Sequence, residues 1–252
     1  MQNKKFLIIA HRGESHDAPE NTFASINLAW ERDADAVEID VQLTKDEKIV
    51  IIHDKTTLRT GGKYKRIASN NYNDLLKIDV GKFRGNKWKN EKIPLLDSVI
   101  DAIPKNKILF VEIKSDERII KPLQNLADQK NFNPEQIKFI GFNINTMKML
   151  KETFPENDVY WIVEWKDYKS KESLKETIRI CKSAKLDGLD VQAGKYLNEE
   201  IINLVKNSGL RIYTWTVDDP EIAKQLHFDG IDGITTNRAG WLKNKLIDKN
   251  IN

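Results

Sequence analysis

The sequence predicts an α/β fold, a (β/α)8 TIM barrel with a small insertion after the second strand. Short apolar runs typical of strands alternate with helical patterns along the whole chain. Each strand-plus-helix unit takes roughly 25–35 residues, which suits crossovers between parallel strands. The length of 252 residues is also ordinary for one barrel of this class.

The first predicted strand, Phe6 to Ala10, is a continuous apolar run, as expected of a strand buried on both faces. The second is Ala36 to Leu43. The other six are Ile108 to Ile113, Ile137 to Phe142, Val159 to Val163, Gly188 to Val191, Leu210 to Val217 and Ile231 to Thr235. The eight predicted helices are Thr22 to Arg32, Leu95 to Ala102, Arg118 to Gln129, Asn145 to Thr153, Lys171 to Ala184, Asn198 to Asn207, Pro220 to His227 and Gly240 to Leu246.

One strand-like run, Val50 to Ile52, breaks this alternation. It follows the second strand too closely for a crossover helix, which needs roughly a dozen residues. A hairpin that turns near Asp46 and Glu47 fits better. Counting back from that turn pairs Asp40 with His53.

The polar stretch that follows the hairpin is too long for an ordinary connection. We therefore expect a single TIM-barrel domain over residues 1–252, with an insertion at about 54–93 that lies over the barrel mouth or forms a flexible flap. Its aromatic side chains are expected to form a small local core.

The composition excludes several classes of protein. Lys plus Arg is 41 and Asp plus Glu is 38, so the net charge of +3 gives no support for a nucleic-acid partner. The single cysteine, Cys181, excludes an intrachain disulfide and is predicted to be an inert helix residue. No signal peptide and no transmembrane segment are expected, because the apolar stretches are too short. A cytoplasmic enzyme is the simplest interpretation.

Carboxylates gather at the carboxyl ends of two predicted strands, where the active sites of such barrels form. Glu38 and Asp40 are two residues apart, so both side chains share one face of the strand, and Glu112 and Lys114 repeat this spacing. Buried carboxylates must be paired, protonated or metal-bound. One divalent cation with oxygen ligands, Mg²⁺ or Ca²⁺, would satisfy all three. The alternative is an ion-pair cluster with Arg12 and Lys114.

The remaining polar residues of this end suit a phosphate. A guanidinium group such as that of Arg12 grips two phosphate oxygens, and Lys114 supplies a point charge. His11 and His53 come from different strands and could act as acid and base. The other two histidines, His16 and His227, are predicted to be structural or solvated.

An ordered set of motifs resembles the glycerophosphodiester phosphodiesterase family, of the cytoplasmic bacterial type. The motifs are His11-Arg12-Gly13, Pro19-Glu20-Asn21-Thr22, Glu38-Ile39-Asp40-Val41, Thr44-Lys45-Asp46, His53-Asp54, Ile93-Pro94-Leu95-Leu96, Glu112-Ile113-Lys114 and Tyr213-Thr214-Trp215-Thr216-Val217. Each motif alone is weakly specific, whereas the ordered set is highly specific and covers most of the chain.

The resemblance implies a barrel enzyme that hydrolyses glycerophosphodiesters to glycerol 3-phosphate and an alcohol. It implies one divalent cation bound by Glu38, Asp40 and Glu112, with Glu20 and Asn21 in support. It implies His11 and His53 as the acid–base pair, with Arg12 and Lys114 as phosphate ligands. Trp215 is expected to line the substrate pocket, although an aromatic ring there could simply fill the barrel. The motif around Asn21 could likewise only cap the first helix.

The sequence departs from the family pattern at three places. Asp33 replaces a glycine before the second strand, Gly141-Phe142 replaces Ser-Phe at the fourth, and Thr236 to Ala239 replaces Thr-Asp-x-Pro. We expect none of these to touch the metal or acid–base residues. The alternatives are a related barrel phosphodiesterase that acts on lysophospholipids or phosphoinositides and a non-catalytic phosphate-binding barrel. The sequence leaves the preferred alcohol and the oligomeric state open.

Overall fold

The apolar runs of the sequence close into a barrel of eight parallel strands. The structure is a computed structural model and describes residues 6–164 and 171–247. The strands are β1 (Leu7–His11), β2 (Ala36–Leu43), β3 (Ile49–Ile51), β4 (Ile108–Ile113), β5 (Ile137–Gly141), β6 (Val159–Val163), β7 (Gly188–Gln192), β8 (Arg211–Trp215) and β9 (Gly233–Thr236). The barrel closes because β1 pairs with both β2 and β9, and only β3 is antiparallel. The predicted TIM barrel is confirmed.

Helices follow the barrel strands in alternation. They are α1 (Phe23–Glu31), α2 (Leu58–Gly61), α3 (Tyr72–Leu75), α4 (Leu96–Ile100), α5 (Ile120–Lys130), α6 (Ile144–Thr153), α7 (Lys171–Ser183), α8 (Glu199–Asn207), α9 (Pro220–Phe228) and α10 (Ala239–Ile247). All eight predicted helices are present. Within the described residues, no helix combines the length and apolar character that crossing a bilayer requires. Residues 1–5, part of the segment in which no signal peptide is expected, lie outside the described residues.

The alternation of side chains along β2 separates two layers of the core. Val37, Ile39 and Val41 point outward and pack in the large cluster between barrel and helices. Ala36 points inward and packs with Phe110 and other side chains that fill the barrel interior. Because the side-chain period of a strand is two, Glu38 and Asp40 must share the inward face with Ala36. An apolar layer of side chains lies below these acids, which therefore stand at the mouth of the barrel.

The hairpin of β2 and β3 is present, but its predicted register is wrong by one residue. Val41 pairs with Ile51, and the Ile52 amide donates to the Asp40 carbonyl at 2.9 Å, so Asp40 faces Ile52 rather than His53. The turn contains five residues, from Thr44 to Lys48, instead of a tight pair centred on Asp46 and Glu47. His53 therefore follows the paired region and is positioned by other contacts.

The segment between β3 and β4 carries a small core of its own. This core is aliphatic and contains Val50, Ile52, Ile67, Leu75, Ile78, Val80 and Ile93. The expectation of an aromatic core was wrong, because Tyr64 and Phe83 are exposed at 69% and 42%. Only Tyr72 among the aromatic side chains packs against this cluster. That the segment belongs to a single domain spanning residues 1–252 stays a proposal.

Local geometry explains the aspartate that replaces a glycine after α1. Asp33 has φ of 61°, a left-handed conformation that aspartate tolerates better than most residues. Its carboxylate also forms ion pairs with Lys107 and Lys243. The position therefore has a backbone conformation that glycine adopts readily, and the aspartate adds surface charge pairs.

Cys181 lies in α7, as predicted, and is fully buried. Burial, with a smaller contribution from Asp187, raises the pKa of its thiol to about 12. The thiol therefore stays protonated at neutral pH and has no reactive character.

Candidate active site

The three predicted acidic residues meet at the mouth of the barrel. Asp40 of β2 lies opposite Glu112 of β4 in the strand register, and Glu38 lies one inward position deeper on β2. One oxygen from each carboxylate lies within 4.8 Å of the others, and all three residues are buried. The predicted convergence of Glu38, Asp40 and Glu112 is therefore present.

Burial and mutual repulsion act on the protonation of these acids. Burial, reinforced by the charges of Asp40 and Glu112, raises the pKa of Glu38 well above its usual range. Burial and the Asp40 charge raise the pKa of Glu112 to about 7. Burial also opposes ionisation of Asp40, but Arg12 and Lys114 outweigh it and lower the pKa of that carboxyl group. Without a bound cation, full ionisation of all three acids is therefore unfavourable at neutral pH.

Two cations border the acidic cluster, as the sequence predicted. Arg12 Nε lies 3.2 Å from Asp40, and Lys114 Nζ lies 3.2 Å from Asp40 and 2.5 Å from Glu112. The alternative of an ion-pair cluster is thus partly realised. However, Glu38 Oε1 is buried and has no hydrogen-bond partner among the described residues. An orphaned buried oxygen beside two further carboxylates fits a bound divalent cation.

A tight turn after β1 brings Arg12 to this position. Arg12 and Gly13 both have positive φ, of 57° and 80°, and the turn lies directly on Ser25 of α1. A β-carbon on Gly13 would lie 2.5 Å from the Ser25 backbone, so only glycine fits. The turn lets the Arg12 amide donate to Glu38 Oε2 at 2.9 Å. The backbone of the turn thereby fixes one acid of the cluster.

His11 ends β1 and is held by Asn237. The His11 Nδ1 and Asn237 Oδ1 atoms are 2.8 Å apart. Asn237 donates its Nδ2 to Asp218 at 2.7 Å, which directs its oxygen towards the ring. In the neutral ring, His11 Nδ1 therefore carries the proton and Nε2 is unprotonated. Burial, together with the Arg12 charge, lowers the pKa of His11. The expectation that the Thr236 to Ala239 departure touches no acid–base residue was wrong.

His53 is held by a different kind of partner. Its Nδ1 lies 2.8 Å from Asp54 Oδ1. Hydrogen bonds from Arg59 and from His53 lower the pKa of Asp54 to about 2, so this partner is an anion. The Gln42 amide donates to the carbonyls of Ile52, His53 and Asp54 and so fixes the backbone after β3. Both histidines lie close enough to Asp40 for electrostatic interaction with its carboxylate.

Glu20 does not face the acidic cluster. Its carboxylate accepts from Arg12 at 2.8 Å and from both terminal nitrogens of Arg59 at 2.7 and 2.8 Å. Arg59, from α2 of the inserted segment, also binds Asp54. A continuous chain of charges therefore joins the β1 turn to the partner of His53. This arrangement is compatible with the supporting role predicted for Glu20.

Asn21 contacts the cluster and does not cap the helix. Its Nδ2 donates to Asp40 Oδ2 at 2.7 Å, and its Oδ1 accepts from the Asp40 amide at 3.1 Å. The N-cap of α1 is Thr22, which forms a capping box with Ser25. The contact that suits a supporting role therefore belongs to Asn21, and the capping role belongs to Thr22.

Aromatic side chains border the other side of the mouth. Trp215 of β8 meets Phe142 edge-to-face with ring centroids 6.0 Å apart, and Lys114 Nζ lies 5.6 Å from the Phe142 ring. Trp215 Nε1 is buried with no hydrogen-bond partner among the described residues.

Asp190 lies fully buried within the barrel, where burial and the Glu112 charge raise its pKa well above the usual range. His16 binds Asp17, and His227 packs on Phe6, as the structural interpretation of both predicted.

Four site residues were not selected from the sequence. Asp54 stands inside a quoted motif, and Asn237 directly follows β9, so both had a signal. In the barrel, Ala10 pairs with Thr236, which places Asn237 beside His11. No sequence motif pointed to Arg59 or Asp218, because each acts through a residue distant from any predicted strand end or outside the selected set.

Both the sequence and the fold of this chain match known proteins. The model of the Glycerophosphoryl diester phosphodiesterase family matches residues 11–241. A glycerophosphodiester phosphodiesterase of Caldanaerobacter subterraneus is 31% identical over 251 residues, covering 95% of this chain and 97% of the relative. One of Bacillus subtilis is 27% identical, covering 92% and 84%. An Oleispira antarctica phosphodiesterase, solved with the product sn-glycerol-3-phosphate, matches with a TM-score of 0.86 and 26% identity, covering 96% of this chain and 97% of that one. The chain belongs to the glycerophosphoryl diester phosphodiesterase family.

Proposed function

We propose that this phosphoric diester hydrolase cleaves glycerophosphodiesters to glycerol 3-phosphate and an alcohol, with one divalent cation and two histidines. Family membership already gives the coarser activity, hydrolysis of glycerophosphodiesters. The observation that supports the finer proposal is the clustering of three carboxylates, two cations and two imidazoles around Asp40. A cytoplasmic location stays a prediction.

Glu38, Asp40 and Glu112 are the residues that would hold the cation. Their oxygen donors suit Mg²⁺ or Ca²⁺. When bound, such an ion supplies positive charge that stabilises the charge developing on the phosphoryl oxygens. Asn21 would keep Asp40 oriented for this role through its two hydrogen bonds.

The residues of the chain itself would perform the binding and the proton transfers. Arg12 and Lys114 bind the phosphate oxygens. His11 acts as the base: its Nδ1 is held protonated by Asn237, so Nε2 can take a proton from the nucleophile. That nucleophile is either water or the neighbouring glycerol hydroxyl group, which would first form a cyclic phosphate. His53 acts as the acid and gives a proton to the leaving alcohol. Trp215 and Phe142 offer ring faces against which the glycerol carbons can pack.

The direct test is a release assay across a panel of substrates. With metal present, we expect glycerophosphocholine and glycerophosphoethanolamine to yield glycerol 3-phosphate. We expect no comparable release from a phosphodiester that lacks glycerol. Absence of turnover across the whole panel in metal-replete buffer would contradict the proposal.

A lysophospholipase D activity is a second candidate, because the inserted segment exposes apolar side chains. Leu58, Tyr64 and Phe83 are exposed at 54%, 69% and 42%. Such side chains could contact the acyl chain of a bound lysophospholipid where it extends out of the active site. Comparing kcat/KM for glycerophosphocholine and lysophosphatidylcholine separates the two functions, and we expect the water-soluble diester to be preferred.

Replacing Asn237 tests its role as a positioning residue for His11. We expect Asn237→Leu to lower kcat at least about tenfold with little change in KM, because the ring loses the acceptor that fixes its tautomer. Asn237→Asp keeps an acceptor, so most activity should remain. Its added negative charge should raise the pKa of the base, and the onset of activity should therefore move to higher pH. The measurement is the pH profile of kcat/KM.

A purely structural role for Asn237 predicts a different outcome. Both variants would then lose thermal stability and activity together, and the pH profile would keep its midpoint. Melting curves recorded beside the kinetics distinguish the two cases, because both variants also remove the Nδ2 donor to Asp218 and any resulting loss of stability is then measured separately.

A further inference from the structure

A large groove leads away from the active site. It begins at Lys114 and Phe142 and runs between one face of α5 and a wall formed by the β2–β3 turn and the inserted segment. Its volume is about 1130 Å³. Pockets for small molecules are usually about 300–1000 Å³, so the groove has room for a further group of the substrate beyond the phosphodiester at the acidic cluster.

Basic side chains predominate along this groove. We call it the basic groove, and its cationic residues are Lys45, Lys48, Lys55, Arg66, Lys114, Arg118 and Lys121. Its acidic residues are Asp46, Glu47, Asp97 and Asp116. Seven cations against four acids leave an excess of positive charge that net charge alone did not reveal.

Three of these cations form one wall and have no ion-pair partner within the described part of the chain: Lys45, Lys55 and Arg66. The backbone places them together. Thr56 and Arg66 form an antiparallel bridge, Lys55 accepts from the Ile67 amide at 3.0 Å, and the Lys45 amide donates to Asn70. By contrast, Arg118 on the opposite wall is held by Asp116. The wall formed by the β2–β3 turn and the inserted segment therefore carries three cations that form no ion pair within the described residues.

The position of this wall relates it to the leaving group. Lys55 follows His53 by two residues, and His53 is the proposed donor to the leaving alcohol. Gln42, which lines the groove, also donates to the carbonyls of His53 and Asp54, so an alcohol released beside His53 is expected to extend towards the basic groove. A phosphate on that alcohol could then meet the ammonium and guanidinium groups of the wall.

We propose that the basic groove binds a phosphate carried by the leaving alcohol, so that the enzyme prefers glycerophosphodiesters whose alcohol is itself phosphorylated. This inference rests on the proposed function. The reaction is unchanged: the bond from phosphorus to the alcohol oxygen breaks, water supplies a hydroxyl group to phosphorus and a proton to the alcohol, and the second phosphate stays intact.

A matched pair of substrates tests the groove. Glycerophosphoinositol and glycerophosphoinositol 4-phosphate differ only by one phosphate on the alcohol. We expect kcat/KM to be at least about tenfold higher for the phosphorylated substrate, the effect of one charge-assisted contact. This advantage should shrink as ionic strength rises, because salt screens the exposed cations.

The groove variant is Lys45→Gln combined with Lys55→Gln and Arg66→Gln. It should abolish the preference, while kcat/KM for glycerophosphoinositol stays within about twofold. The matched control removes three exposed lysines elsewhere, Lys105, Lys175 and Lys245, and should keep the preference.

Equal rates for the two substrates in the unchanged enzyme would overturn the inference, as would a preference that survives in the groove variant. If glycerophosphoinositol and glycerophosphocholine are both left intact, the proposed function itself fails, and the groove inference fails with it. If glycerophosphoinositol and glycerophosphoinositol 4-phosphate are hydrolysed at equal rates, the groove inference is refuted and the proposed function stands.

Discussion

Replacing either His11 or His53 with alanine is expected to lower kcat for glycerophosphodiester hydrolysis at least about 100-fold, the usual scale for loss of a general acid or base. Both rings lie at the barrel mouth and outside the hydrophobic clusters, so the fold should remain intact. Steady-state kinetics and a melting curve on each variant provide the measurement. His16→Ala is the matched control, because its ring is half exposed and, within the described residues, forms a hydrogen bond with the neighbouring Asp17 and none with the acidic cluster.

A substrate with a good leaving group distinguishes the two roles. The p-nitrophenyl ester of glycerol 3-phosphate needs little protonation as it departs, so the acid becomes dispensable. We expect this substrate to restore much of the activity of the His53→Ala variant and little of the activity of His11→Ala, which still lacks the base. An equal response of both variants would show that the roles are wrongly assigned, and near-normal turnover of glycerophosphocholine in either would refute the pair.

The barrel and the acidic cluster could be predicted because they depend on local sequence patterns. An apolar run interrupted at every second residue by Glu38 and Asp40 forces both acids onto the inner face of one strand. Glu112 repeats the pattern on β4, which pairs with β2. No long-range information was needed beyond the rule that neighbouring parallel strands meet at one end of a barrel.

The contacts that orient the histidines could not be obtained in the same way. The hairpin register depends on a turn of five residues in which Glu47 takes positive φ, and counting from an assumed tight turn moved His53 by one position. Asn237 reaches His11 only because the barrel closes between β9 and β1, 226 residues apart in sequence. Arg59 reaches Glu20 from a segment without regular periodicity.

Removing the divalent cation is expected to abolish hydrolysis, because the charge that develops on the phosphoryl oxygens then lacks the positive charge of the ion. Exhaustive treatment with EDTA should reduce activity to background, and Mg²⁺ or Ca²⁺ should restore it. Which ion restores the higher kcat identifies the preferred metal. Full activity after chelation, checked by elemental analysis for residual metal, would show that the acids serve another purpose.

Calorimetric titration of the metal-free protein measures the site without relying on turnover. Glu38→Gln, Asp40→Asn and Glu112→Gln should each weaken metal binding at least about tenfold, since each removes a charged ligand. Glu14→Gln is the matched control: Glu14 is equally buried, but it binds Arg32 and the Gly240 amide away from the cluster. That variant should bind metal normally even if it melts at a lower temperature.

The pH dependence of metal binding follows from the acids themselves. Burial and the Asp40 charge raise the pKa of Glu112 from 4.5 to about 7 in the metal-free protein. Between these values the folded protein keeps a proton that the unfolded chain has lost, so stability without metal should fall as pH rises through this range. A cation must displace that proton, and any proton held by Glu38, whose pKa is also raised, so its affinity should increase as pH rises through about 7. The stabilisation by added metal should therefore be larger at pH 8 than at pH 5.5, and melting temperatures at the two pH values measure the difference. An equal rise at both values would mean that the ion binds elsewhere, at groups that do not titrate in this range.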